Sequence, residues 1–393
     1  MSNRITKDLK REIQKHRDIY SDSTIIYIDG SNLFARSFYA TYKGVDESTY
    51  QDAYRNNIDG AVFAIQELTD IYLSIYPEFK NTSIIIVSFD NKRSAKHKQI
   101  NKDYKANRAF NFNKIAEVKG LEFAKMEQEK LETYRYQFKI FKNFINQLDV
   151  FILDEPFVEG DFLLVYLLHK LHNKLSNPQH ILISNDKDFW QLFGYYPDNV
   201  EVYSLHDKKF ITNRMINKAF FQNIKKNEII YARILLGDSS DGIYGIKGIG
   251  KKYVAQIFEK INKSKMKYSD IEEFIEVLNE VFKDDKRKVI QRLLTEESQE
   301  IIRENFKLMS LSYENIIDML PYNVISKVNK HLDYYIEEKL KLNKDILYAD
   351  RQNEIKFLTK ILNLSFNVNN NLYDPTFILP KKFYLKKEIF KHE

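Results

Sequence analysis

Hydrophobic positions along this chain fall first into short unbroken runs and later into helical spacing alone. Residues 24–28 (TIIYI) and 84–89 (IIIVSF) are continuous apolar runs followed or ended by an aspartate, and 150–153 (VFIL), 180–183 (HILI) and 200–203 (VEVY) are three more. Runs without polar alternation predict strands covered on both faces, as in a parallel sheet. Between them, apolar residues recur three and four apart over roughly 57–76, 124–148 and 159–172, as in Ala61, Ile65, Leu68 and Tyr72, which predicts helices. Strands alternating with helices imply an α/β sheet. After residue 212 the strand signals stop, and helical patterns continue through 227–236, 251–260, 269–282 and 298–310. Residues 109–125 lack clear periodicity and predict a connection or part of a long excursion from the sheet.

Composition narrows the chemistry. The 393 residues suffice for one large domain or two ordinary ones. There is no cysteine, so disulfides, thiolate zinc sites and cysteine nucleophiles are excluded, while carboxylate-bound hard ions stay open. The N-terminus is charged and polar rather than an apolar leader, and no stretch approaches the roughly 18 apolar residues of a membrane span. The expectation is a soluble, membrane-free cytoplasmic protein, in the host cytoplasm if phage-encoded. Net charge is +6, and its location matters. Residues 91–108 hold Lys92, Arg93, Lys96, Lys98, Lys102, Lys105 and Arg108 against Asp103 alone, so this segment carries the whole excess. A charge run is usually a solvated face, but one interleaved with amides and Tyr104 behind an apolar strand suits phosphate contact. The tail from 366, ending in Lys381, Lys382, Lys386, Lys387 and Lys391, reads as a flexible arm or a partner contact.

In an open α/β sheet, ligands gather outside the carboxyl ends of the strands. Here those ends are acidic. Asp29 ends the first strand and Asp90 follows the second; Glu159 and Asp161 open the helix after the third; Asp186 and Asp188 follow the fourth. Asp238 and Asp241 lie in a Gly-Asp-Ser-Ser-Asp-Gly segment after a helix that would return to the same rim. Each has a bland reading: Asp29 and Asp186 as helix caps, Glu159 as dipole compensation, Asp238 and Asp241 as a turn. Those readings leave unexplained why nearly every strand end carries one. Crowded carboxylates call for protonation or bound metal, and two divalent ions about 4 Å apart would suit in-line phosphodiester hydrolysis.

Residues 245–250 read Gly-Ile-Lys-Gly-Ile-Gly, followed by Lys251, Lys252 and an apolar-periodic helix. Gly245, Gly248 and Gly250 would let a phosphate backbone approach amide N–H groups at the helix start, with Lys247, Lys251 and Lys252 supplying charge. Directly after an acid pair, this reads as a helix-hairpin-helix grip on duplex DNA. It is too short for a nucleotide P-loop and lacks Gly-Lys-Ser/Thr.

These segments together resemble the structure-specific 5′-nucleases, or flap endonucleases, and within them the bacteriophage ribonuclease H and 5′-3′ exonuclease branch. The resemblance spans most of the chain. It is carried by Ile-Asp-Gly-Ser-Asn (28–32), Phe-Asp-Asn-Lys (89–92), Tyr-Lys-Ala-Asn-Arg (104–108), Glu-Gly-Asp (159–161), Ser-Asn-Asp-Lys-Asp-Phe (184–189) and the segment 237–250. It implies a PIN-like (resolvase-like), mainly parallel sheet flanked by helices, with a helical arch over about 91–140. An extension at 1–20 would precede a core at 21–235, and a helical part at 236–393 would contain the helix-hairpin-helix at 238–260. It implies that Asp29, Asp90, Glu159, Asp161, Asp186, Asp188 and Asp241, with Asp238 beside them, hold two magnesium ions, replaceable by manganese. Lys105 and Arg108 would touch the scissile phosphate, and a potassium ion would sit at the hairpin. The implied substrates are branched or 5′-ended DNA and RNA–DNA duplex, cut by a monomer working with a single-stranded DNA-binding protein or other replication proteins to remove RNA primers or flaps.

One departure stands out: Phe162 occupies the place where the family usually has another acid after Asp161. A metal contact would then fall to Asp238, Asp241 or solvent. Two rivals remain, a PIN-like ribonuclease acting on single-stranded RNA, which would lack the glycine hairpin and long arch, and an inactive DNA-binding scaffold, for which acids would be replaced.

Overall fold

The computed structural model describes residues 24–42, 59–75, 84–108, 110–148, 150–175, 177–220 and 224–341. The 1–20 extension and the basic tail with Lys381 to Lys391 lie outside the described residues. The five apolar runs form β1 (Thr24–Asp29), β2 (Ile84–Ser88), β3 (Phe151–Leu153), β4 (Gln179–Ile183) and β5 (Val200–Ser204). A short β6 (Lys209–Phe210) closes the edge, and the sheet order is β3-β2-β1-β4-β5-β6, parallel throughout except for β6. The chain builds outward from β1 in one direction and then returns to pair β4 on its other side. The topological switch point therefore lies between β1 and β4, where such sheets open a crevice.

Burial explains why these runs show no alternation. Along β1, Ile25 and Tyr27 point into one apolar layer while Ile26 and Ile28 point into the other, and all four are at most 1% exposed. One face is covered by α1 (Gly30–Thr41), α2 (Asp59–Ile75) and the later part of α5 (Leu121–Ile145), through Phe34, Phe38, Leu68 and Phe141. The other is covered by α6 (Gly160–Lys174), whose residues Phe162 to His169 are all buried, and by the helices that follow.

The segment after β2 forms α3 (Ala95–Ile100), a 3-10 turn at Ala106–Arg108, and then α4 (Phe112–Lys119) leading into α5. Residues 110–125 are part of the long excursion between β2 and β3, and they are mainly helical although the sequence shows no clear periodicity there. Asn111 caps α4, its side chain accepting the Lys114 N–H, and Gly120 at φ +94° turns the chain into α5. Periodicity gave no signal because α4 has no buried residue, so nothing selects a face.

After α7 (Leu192–Tyr195), the second half comprises α8 (Asn213–Phe220), α9 (Ile229–Leu236), α10 (Lys251–Ser264), α11 (Ile271–Phe282), α12 (Lys288–Leu293), α13 (Glu296–Met309), α14 (Tyr313–Met319) and α15 (Tyr322–Lys341). It is mainly helical, as the pattern predicts, with one correction: β7 (Gly237–Asp238) and β8 (Ile243–Tyr244) form a small antiparallel ladder past residue 212. Two-residue strands leave too short a run to register as a pattern. α15 runs back over the α/β core, with Tyr335 against Phe151, and Tyr166 donating to Asn329 at 2.7 Å.

Candidate active site

The acids do converge. Asp29, Asp90, Asp161, Asp186, Asp188, Asp238 and Asp241 line one cavity of about 280 Å³, together with Ser31, Asn32, Tyr104, Lys105, Arg108 and Tyr134. Glu159 stands just behind, buried and ion-paired to Lys105. Local backbone geometry aims each acid. Asp29 caps α1 and faces the cavity at once: one oxygen accepts the Asn32 N–H (2.9 Å), the other the Ser184 hydroxyl (2.9 Å). Asp90 accepts the Gly160 N–H at 2.8 Å, which ties the end of β2 to the start of α6. Asp186 accepts the Asp188 N–H at 2.8 Å, so β4 turns into the 3-10 segment with both side chains at the rim. The cap reading and the site reading are thus both true of Asp29.

Like charges in a confined place make their ionisation difficult. Burial, then Asp90 and Asp186, push Asp29 up to about 7 despite its hydrogen bonds. Burial and Glu159 raise Asp161 well above the carboxylate range. Asp188 is raised to about 7, by burial with Asp186, Asp238 and Asp241, although Arg233 opposes this. Asp90 and Asp241 are raised too, chiefly by burial and against the pull of Lys105. Asp238 is the exception: burial acts against it, but the Ser240 hydroxyl (2.6 Å) and Arg233 outweigh burial and hold it low.

The basic segment meets these acids through two residues. Lys105 lies in the left-handed region (φ +51°), donates its N–H to the Asp241 carbonyl at 2.6 Å and directs its ammonium to Glu159. Burial disfavours that ammonium, but Tyr104, Glu159, Asp90 and Asp161 outweigh it and keep Lys105 firmly charged. Arg108, half exposed, pairs with Asp241 and donates through Nε to the Ser240 carbonyl at 3.3 Å. Gly242, at φ +74°, lets the 237–244 turn press on this segment: a Cβ there would lie 2.4 Å from the Asp103 carbonyl oxygen. Asp103 to Arg108 and the acid-bearing turn therefore form one clasp.

The rest of the basic run stays outside the cavity. Lys92 lies over the Phe157 ring at 4.7 Å, Lys96 donates to the Asp318 carbonyl at 2.8 Å, Arg93 is half-buried, and Lys98 and Lys102 are exposed. In the hairpin, Lys247, Gly248, Gly250, Lys251 and Lys252 are exposed or half-buried. Gly245 plays a different part from the one expected. A Cβ on it would fall 2.2 Å from the Leu236 carbonyl oxygen, so it serves the packing of the hairpin on α9. A Cβ on Gly250 would meet nothing within 4 Å, which leaves its backbone open to a ligand. Phe162 borders the cavity but is 3% exposed and packed edge-on to His97, 4.9 Å between ring centres.

Sequence reasoning missed Tyr134 and Arg233, and noted Tyr104 and Ser184 only within the basic run and the longer motifs. Arg233 had left a signal, a lone cation inside the apolar helix Ile-Ile-Tyr-Ala-Arg-Ile-Leu-Leu that leads into Asp238.

The donor set suits a hard cation: carboxylate oxygens, several anchored by backbone N–H groups, with neither cysteine nor histidine among the described residues that line the cavity. Oδ1 of Asp188 is buried without a hydrogen bond, touched only by the Arg233 ion pair. Among the described residues no three such side chains are already drawn into a closed cage. Mutual repulsion and the pairing of Lys105, Arg108 and Arg233 with the acids account for that spread.

Residues 24–224 match the family described as the 5′-3′ exonuclease, N-terminal resolvase-like domain, and the chain belongs to that family. It is a nuclease of the 5′-3′ exonuclease kind. A 5′-3′ exonuclease of Buchnera aphidicola subsp. Schizaphis graminum is 27% identical over 249 residues, 63% of this chain and 74% of that one. Another, from Aquifex aeolicus, is 25% identical over 238 residues, 60% of this chain and 69% of that one. Among solved structures, bacteriophage T5 5′-exonuclease with zinc bound superposes with TM-score 0.57 at 21% identity, covering 80% of this chain and 99% of the other. A T5 flap endonuclease complex with DNA and metal ions gives TM-score 0.56 at 21% identity, with the same coverage. That similarity is one of fold. Among the described residues no helix is long and apolar enough to cross a membrane.

Proposed function

We propose that this nuclease is a divalent-metal-dependent 5′-3′ exonuclease and flap endonuclease that hydrolyses phosphodiesters near 5′ ends, removing RNA primers or flaps during phage DNA replication. The observation that carries this is the gathering of acids from five separate segments around one cavity, with Lys105 and Arg108 held at its edge. Asp29, Asp90, Glu159, Asp161, Asp186, Asp188, Asp238 and Asp241 would hold two magnesium or manganese ions, Glu159 and Asp238 from its margins. Such ions supply an activated water at neutral pH and Lewis-acid stabilisation of the leaving oxygen. Lys105 and Arg108 act on the phosphate itself, where preorganised cations stabilise charge that grows in the transition state. Lys92, Arg93, Lys96, Lys98 and Lys102 line the approach of the 5′ strand. Lys247, Gly248, Gly250, Lys251 and Lys252, with a potassium ion, grip the downstream duplex.

The substrates are branched or 5′-ended DNA and RNA–DNA duplex, acted on by a monomer. The T5 relatives, one with DNA and metal ions and one with zinc, support the substrate and cofactor classes. The scaffold reading is disfavoured because the acids expected at the rim are present, and only the place of Phe162 fits it. The single-stranded ribonuclease reading is disfavoured by the glycine hairpin at 245–250, which that rival would lack. The deciding experiment incubates a 5′-labelled flap, a blunt duplex and a single strand with the protein, with magnesium or with excess chelator. Magnesium-dependent cutting of the flap is expected. Full activity in chelator overturns the metal reading, and a preference for bare RNA restores the ribonuclease rival.

A further inference from the structure

The cavity carries far more negative than positive charge, and its three cations are unevenly spread. Lys105 and Arg108 serve Glu159 and Asp241. On the opposite side Arg233 of α9 stands behind two of the lining acids, where one nitrogen, Nη2, pairs with Asp188 and donates to Asp238 Oδ2 at 3.3 Å. Asp29, Asp90, Asp161 and Asp186 have no Lys or Arg within ion-pair distance among the described residues. The acid cluster therefore has one group bare of direct ion pairs, which Lys105 acts on only at longer range, and two paired corners.

Arg233 is not a surface side chain that has fallen into the cavity. It is 9% exposed, and its helix is buried through Ile229 to Leu235, so the guanidinium is built into the wall. Its bonding is also incomplete. Nε is buried without a hydrogen-bond partner, and Oδ1 of Asp188, although in the ion pair, makes no hydrogen bond. A structural Arg–carboxylate pair would normally close as a two-pronged fork with its donors used. Here a single nitrogen serves both acids, through the ion pair to Asp188 and one long hydrogen bond to Asp238, so the guanidinium is held mainly by charge and can turn when that charge is neutralised by something else.

We propose that Arg233 is a resident counter-ion of the Asp188–Asp238 corner. Divalent ions then enter in two unequal classes, a tight one at the bare group of Asp29, Asp90, Asp161 and Asp186, and a weak one that must displace the guanidinium. This rests on the proposal that the cluster binds divalent ions. Arg233 is a positioning residue here: it holds Asp188 and Asp238 together before metal arrives and sets the metal concentration at which the second class fills. Because the competition is electrostatic, Arg233→Lys keeps it, whereas Arg233→Met removes the charge and keeps an apolar stem suited to a buried wall.

The test is a manganese titration of the metal-free, full-length protein, read by the electron paramagnetic resonance signal of free manganese, without substrate. The wild type is expected to show two classes of ion at least tenfold apart in affinity. Arg233→Met should tighten the weak class about tenfold or more and leave the tight class within a few-fold, while Arg233→Lys should resemble the wild type. Metal-free Arg233→Met should also melt at lower temperature than the wild type, and manganese should raise its melting temperature by more. A second class unchanged or weakened in Arg233→Met overturns the inference, as does a single class in the wild type. Should Arg233→Met not fold without metal, adding Asp238→Asn relieves the repulsion it leaves; that double variant should fold, and an unfolded one makes Arg233 a core residue and overturns the inference. If the wild type takes up no manganese at all, the metal-binding reading itself fails, which is distinct from any of these results.

Discussion

Lys105 is the residue where local strain and chemistry coincide. Its left-handed backbone costs a non-glycine residue about 1 kcal/mol or more, and that cost is sustained by the Asp241 carbonyl, the Glu159 ion pair and the press of Gly242 behind Asp103. A charge fixed in advance beside the reacting group contributes most in the transition state. Lys105→Ala is therefore expected to slow single-turnover cleavage by about 10² or more while changing substrate affinity only several-fold. Equal losses in binding and cleavage would make Lys105 a docking residue instead. Phe162 illustrates the converse, a position that reads as a lost ligand by comparison and as core by packing. Buried against His97, it leaves no room for a solvated carboxylate. Phe162→Asp should cost roughly 3 kcal/mol or more in urea unfolding, from poorer packing and a buried charge, with no gain in metal affinity. A stable variant with tighter manganese binding would restore the vacated-ligand idea.

At the scale of elements, what could be read in advance was whatever burial enforces. The five sheet-core strands and α6 announce themselves because both faces, or the whole helix, lie in the core. The acids were legible because each sits where a buried strand ends, a place that sequence order alone marks. α4, the β7–β8 ladder and Arg233 were not, for three separate reasons: no buried face, strands of two residues, and a partnership set by tertiary contact rather than spacing. The glycine hairpin was legible as an element but not in the parts its glycines play. Gly245 packs against Leu236 and Gly250 faces open space, so the two give opposite expectations. Gly245→Ala should lower the melting temperature without a specific binding defect. Gly250→Ala should fold normally and weaken duplex binding, as should replacing Lys247, Lys251 and Lys252. For every phosphate that those lysines no longer neutralise, the salt dependence of binding should become shallower by about one unit of slope. Binding to a bare single strand should be spared, and its equal loss would reduce the hairpin to an ordinary loop.

Across the whole molecule, two buried ionisable systems pull stability in opposite directions with pH. At the acidic rim, burial first and neighbouring carboxylates next push Asp29 and Asp188 up to about 7 in the fold, from the ordinary value of 3.8. Between those values the folded state holds more protons than the unfolded chain, so their contribution weakens stability as pH rises through 7. On the far face, Tyr27 bonds His180 (3.0 Å), His180 bonds His172 (3.2 Å), and His169 meets the Leu311 carbonyl at 2.9 Å. Burial, aided by His172 and His169, lowers His180 to about 3, so this neutral network supports the fold above 6.5 and loses that support as pH falls below it. A simple melting curve against pH mixes the two. A divalent ion separates them, because it would act on the rim and leave the histidines alone. Its binding requires Asp29 and Asp188 to release their protons, so the rise in melting temperature on adding magnesium should be small at pH 5.5 and grow steadily toward pH 8. The chelated protein should meanwhile show its greatest stability on the acid side of neutrality. Asp188→Asn should flatten the dependence of the magnesium increment on pH, since one of the two displaced protons is gone. A magnesium increment that is constant from pH 5.5 to 8 would mean that the ion binds away from these carboxylates.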